Sequence, residues 1–104
     1  MLIKNWNYEQ ESKAKFHKEG KKMLRAINKE LGLNADIRSN KAGSASLGEV
    51  TLHADNVYVQ IGGLYPDQAL IRSCEGKKDY CGGQNMYSGT DKQDIINHIK
   101  HYIL

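Results

Sequence analysis

The chain has 104 residues, 39% of them hydrophobic, with a formal net charge of +3. That length suits one compact domain and excludes two, and it leaves a thin core in which a buried active site would be hard to house. The sequence has no apolar run long enough to cross a bilayer, and its opening, MLIKNWNYEQ, lacks the apolar stretch of a signal peptide, so the expectation is a cytoplasmic protein with no membrane contact. The charge is uneven: residues 1–38 carry nine Lys/Arg against five Asp/Glu, and residues 39–104 carry six against seven. A nucleic-acid mimic, which needs a large negative surplus, is excluded, whereas an acidic partner is permitted.

Residues 8–31 read as one amphipathic helix. Asn7 and Gln10 are spaced as a capping box, Phe16, Met23, Leu24, Ile27 and Leu31 form an apolar stripe, and lysines with Arg25 fill most of the remainder. Gly20 should weaken the middle by about 1 kcal/mol relative to Ala, enough for a bend. Gly32 suits the position just past the end, with Leu33 supplying an apolar contact.

Residues 35–39, ADIRS, form a first short strand candidate, and NKAGSAS at 40–46 is a loop of small residues that matches no phosphate-binding pattern. The most regular stretch follows. In LGEVTLHADNVYVQIGG, Val50 and Leu52 alternate with Glu49, Thr51 and His53, and Val57, Val59 and Ile61 alternate with Tyr58 and Gln60. Alternation on both sides of Asp55-Asn56 predicts a half-buried hairpin. GGLYPDQ at 62–68 reads as a turn, ALIRSC at 69–74 as a fourth strand, and residues 75–89 as a long loop rich in Gly, Lys and Tyr. Residues 91–104 read as a second helix, capped by Thr90 with Gln93, with Ile95, Ile96, Ile99, Tyr102 and Ile103 as its apolar stripe and His98 and His101 favoured as cations by the helix dipole. The fold expected is α+β, one domain, order α-β-β-β-β-α, with an antiparallel sheet and both helices packed on one face.

No catalytic or metal motif emerges, and no cofactor is implied. Cys74 and Cys81 are too widely spaced, and His98 and His101 too close, for a structural zinc set. Cys81 sits near Lys77 and Lys78, which could activate a thiol, yet nothing in the sequence brings a base to it. The carboxylates are scattered. The chain therefore reads as a protein that binds rather than catalyses. If Ile37, Val50, Leu52, Val57, Val59, Ile61 and Ile71 face the helices, then Asp36, Arg38, Thr51, His53, Tyr58, Gln60 and Arg72 face outward. Arg38, His53, Tyr58, Gln60 and Arg72 would make a recognition surface, flanked by Lys77, Lys78 and Tyr80 of the long loop, since Tyr and Arg are enriched in binding hot spots. A nucleic-acid-binding module using Lys18, Lys21, Lys22 and Arg25 of the basic helix together with the same sheet face is the alternative. An exposed edge strand leaves both monomer and homodimer open.

The segment KELGLNADIRSNKAGSASLGEVTLHADNVYVQ at 29–60, with RSCEGKKDYCGGQN at 72–85, resembles a group of small phage and mobile-element proteins. That resemblance carries no catalytic residues. It implies an accessory protein that binds and inhibits a host defence complex in the anti-CRISPR manner, with a host protein or ribonucleoprotein complex as partner.

Overall fold

The computed structural model describes residues 10–40, 48–62, 65–76 and 83–103. The Asn7 cap, the loop residue Lys41, the loop residues Lys77, Lys78, Tyr80 and Cys81, and the terminal Leu104 lie outside the described residues.

Helix α1 spans Gln10–Leu31, followed by strands β1 (Asp36–Asn40), β2 (Glu49–His53), β3 (Val57–Gly62), β4 (Tyr65–Ser73) and β5 (Met86–Ser88), and helix α2 (Lys92–Tyr102). The strands form one antiparallel sheet in sequence order, β1-β2-β3-β4-β5. Both helices cover one side of it. The α+β single domain read from the sequence is present, with one strand more than the four expected. Within the stretch read as a long loop, Met86 pairs opposite Ile71 and Tyr87 opposite Leu70. Three residues are too few to display an alternation, which is why this strand escapes a pattern search.

Alternation decides which side is covered. Val50, Leu52, Val57, Val59, Ile61, Ala69 and Ile71 are fully buried and join Phe16, Leu24 and Ile27 of α1 and Ile95, Ile96 and Ile99 of α2 in one core. Met23, Leu31, Ile37 and Ile103 pack partly buried against its margin. Tyr102 is a correction: it is 61% exposed, because α2 closes with Ile103 turned to the core instead.

Helix α1 runs unbroken through Gly20. Gly20 lies close against the sheet, where an added Cβ would stand 3.0 Å from Val50 Cγ2. The helix ends as a 6→1 turn, with the Leu33 N–H donating to the Asn28 carbonyl at 3.2 Å beyond Gly32, and Leu33 is buried. The Asn28 side chain accepts from the Ala35 N–H at 2.9 Å, tying the helix end to the approach of β1.

The β2–β3 hairpin closes as expected over Asp55-Asn56, with the Ala54 N–H donating to the Val57 carbonyl at 3.0 Å. Strand β4 begins four residues before its expected start, in the stretch read as a turn. Its register jumps opposite Ile61 and Gly62, from Ala69 to Tyr65, so Pro66 sits in the irregular part where no ladder donor is required. Gly62 takes φ of +94°, and an added Cβ would lie 2.5 Å from the Gly48 carbonyl oxygen and 2.8 Å from the Phe16 ring. The start of α2 also differs from expectation. Asp91 is the N-cap and makes no side-chain cap bond, so the Thr90–Gln93 box does not form. Thr90 is 3% exposed and its Oγ1 has no hydrogen-bond partner, while Gln93 donates to Asn97 one turn on at 2.8 Å.

Candidate recognition face

The other side of the sheet is built from the alternate positions of the same strands. Register places Asp36, His53, Tyr58 and Arg72 in one row across β1 to β4. The next row runs Arg38, Thr51, Gln60, Leu70 and Tyr87 across all five strands. Among the described residues neither helix packs on these rows. The structure thus brings together Arg38, His53, Tyr58, Gln60 and Arg72 as the alternation predicts. It adds Leu70 and Tyr87, the latter 45% exposed. Leu70 was legible in principle, since it shares a face with Arg72 once Ile71 is assigned inward.

These side chains hold one another. The Arg72 guanidinium lies 4.3 Å from the centre of the Tyr58 ring, a cation–π stack. The Tyr58 ring meets that of His53 edge to face at 5.2 Å, and His53 Nε2 shares a 2.8 Å hydrogen bond with Thr51 Oγ1. The Tyr58 hydroxyl donates to Gln60 Oε1 at 2.8 Å. Arg38 and Asp36 form a loose, exposed ion pair at 3.8 Å, and Asn40 donates to Glu49 at 3.5 Å along the outer margin. Although they leave the sheet on the side opposite the helices, Thr51 and His53 are only 7% exposed. The Arg72 Nε–H is buried and has no hydrogen-bond partner.

The electrostatics follow from this packing. Burial, then the Arg38 charge, lowers the His53 pKa below its ordinary 6.5; Asp36 opposes the shift and Arg72 adds to it. Burial, reinforced by Glu49 and opposed by Arg72, raises the Tyr58 pKa above its ordinary 10. Near neutral pH this strip therefore presents a neutral imidazole, a protonated phenol and permanent guanidinium charges. Arg38 and Arg72 are balanced by Asp36 and Glu49, so the face has little net charge.

Other chemistry-bearing groups stand apart from it. His17 is 1% exposed on α1, packs edge to face on Phe16, and shares a 2.6 Å hydrogen bond through Nδ1 with Ser39 Oγ. This hydrogen bond gives the buried imidazole a hydroxyl partner and ties α1 to the edge strand β1. The sequence hides it, because a histidine beside an apolar stripe has no pattern of its own. Cys74 donates its thiol to the Ala54 carbonyl at 3.4 Å at the end of the sheet. His98 departs from the cationic role expected of it: burial and the His101 charge lower its pKa, and its Nε2 is buried without a partner. The Tyr102 ring meets that of His98 at a tilt and that of His101 edge to face, with ring centres 4.5 Å apart in each pair. Among the described residues no group of three His, Cys, Asp or Glu could hold a metal ion. Nor is any described helix long and apolar enough to cross a membrane.

Compared with known proteins, the chain matches no family model, no curated protein and no solved structure.

Proposed function

We propose that this chain works by binding, without chemistry of its own, and that the face of the sheet opposite the helices is its contact surface for a protein or ribonucleoprotein partner. The observation that carries this reading is the linked strip Arg72–Tyr58–His53–Thr51, with Gln60 held by Tyr58, on a face that neither helix covers. An ordinary solvated sheet face is polar; here the cross-strand neighbours His53, Tyr58 and Arg72 also join in one continuous set of ring and cation–π contacts. Tyrosine and arginine are the residues that most often anchor interfaces. Fixing them before contact lowers the ordering cost of association, which otherwise runs to about 0.5–1.5 kcal/mol per side chain. The near balance of charge on this face favours a protein surface over a phosphate backbone.

In its sharper form the proposal is an anti-CRISPR-like accessory protein that occludes a host defence complex in the bacterial cytoplasm; its support is the resemblance of residues 29–60 and 72–85 to small phage and mobile-element proteins. The test is capture of partners from a bacterial lysate by the tagged protein, with and without nuclease. A defined protein complex that is retained after nuclease supports the proposal. Recovery of nucleic acid alone, lost on treatment, removes it.

A further inference from the structure

The basic excess of the N-terminal third has a definite place in the fold. Lys15, Lys18, Lys22, Arg25 and Lys29 follow one another in alternating three- and four-residue steps, so they share one stripe of α1. All five are exposed. Phe16, Gly20, Leu24 and Ile27, which face the core, lie diametrically opposite. Lys21, by contrast, is half-buried off the stripe. Of the two acids flanking the stripe between Lys15 and Leu31, Glu30 is engaged with Lys92 of α2 at 3.5 Å. Among the described residues none of the five cations is in an ion pair.

Because α1 packs on the covered side of the sheet, this stripe and the Tyr58–Arg72 strip point away from each other. The basic helix and the open sheet face, joined in one nucleic-acid surface by the sequence reading, are two separate surfaces. At a rise of about 1.5 Å per residue the stripe is about 21 Å long. One strand of a duplex presents a phosphate about every 3.4 Å of axis, so about six phosphates fall along that length. Five like charges in a line, with no acid between them, match the periodic charge of a polynucleotide better than the mixed charges of a protein surface.

We infer that the outer stripe of α1 is a second, sequence-independent docking surface for the phosphate backbone of a nucleic-acid duplex. Each neutralised phosphate contributes about −0.9 to the slope of log affinity against log salt, so full engagement gives a slope of up to about −4.5. The stripe would let a protein held at the sheet face and a nucleic acid be engaged at once.

The experiment is fluorescence anisotropy of the full chain with labelled DNA and RNA duplexes of about 20 base pairs, over about 50 to 200 mM salt. Wild type is expected to bind at least one duplex at low salt. Lys18→Glu with Arg25→Glu should weaken binding at least about tenfold, and Lys18→Gln with Arg25→Gln should reduce the slope by about 1.8. These positions are exposed, so circular dichroism should show an unchanged fold. Arg38→Glu with Lys100→Glu alters the net charge equally, away from the stripe, and is expected to cost less than about threefold. The inference is overturned if wild type binds neither duplex at low salt, if the slope of the glutamine variant is unchanged, or if the Arg38/Lys100 variant loses as much as the Lys18/Arg25 variant. Tyr58→Ala with Arg72→Ala should leave duplex binding intact, so failure here and failure of the sheet-face proposal are separable.

Discussion

The two faces of the sheet are made by the same strands, one residue apart, yet they obey different rules. On the covered face the contacts are apolar and interchangeable in kind: Leu52, Val59 and Ile71 share one core with Phe16, Leu24 and Ile27. On the open face the contacts are few, directional and particular, and Arg72, Tyr58, His53, Thr51 and Gln60 each have a named neighbour. The difference is that the first face contributes most of the buried apolar area, whereas the second contributes a few cross-strand pairs. Substitutions on each should separate the two.

The largest effect is expected on the covered side. Phe16→Ala removes a ring that is 1% exposed at the centre of the core, and should lower the unfolding free energy by about 3–5 kcal/mol in denaturant titration. Gly62→Ala should cost about 1–3 kcal/mol by the same measurement, since φ of +94° and the Gly48 carbonyl leave no room for a Cβ. Smaller again is the anchor of α1 on the edge strand. A double-mutant cycle of His17→Ala and Ser39→Ala should return a coupling of about 1 kcal/mol, the worth of one hydrogen bond. On the open face, Tyr58→Ala should cost about 1 kcal/mol of stability or less, because the stack on Arg72 is half-exposed.

The mildest effect is one of pH. His53 and His98 have folded pKa values below their ordinary 6.5, so the unfolded chain binds more protons than the fold in the interval below that value. Their contribution is intact above about pH 6.5 and is lost as pH falls toward and through the lowered folded values. Thermal melts between neutral and mildly acidic pH should show this decline, and His53→Gln should flatten part of it. An unchanged profile in that variant would mean that His53 is not held neutral by its surroundings.

The contrast between the faces was itself legible in the sequence, because period-two alternation from Glu49 to Ile61 assigns each residue a side without any tertiary information. The same logic brought Arg38, His53, Tyr58, Gln60 and Arg72 onto one surface, and the 3.6-residue period recovered the core stripes of both helices except for Tyr102. What the sequence did not disclose depends on distance across the fold. Gly20 looked like a weakness because helix propensity is a local property, whereas its role is set by Val50, which lies thirty residues away. The Thr90 cap does not form because α2 begins one residue later than the sequence reading placed it, which puts Asp91 at the N-cap position. The opposition of the cationic stripe and the recognition face could not be seen until α1 was placed on one side of the sheet.

The most direct test of the account is the affinity of the captured partner for the Tyr58→Ala/Arg72→Ala variant, measured beside its stability. A loss of about 2 kcal/mol or more in binding, with a melting transition close to that of wild type, is the predicted result. Unchanged binding by a folded variant would show that the partner is held elsewhere and that the strip on the open face is only well packed.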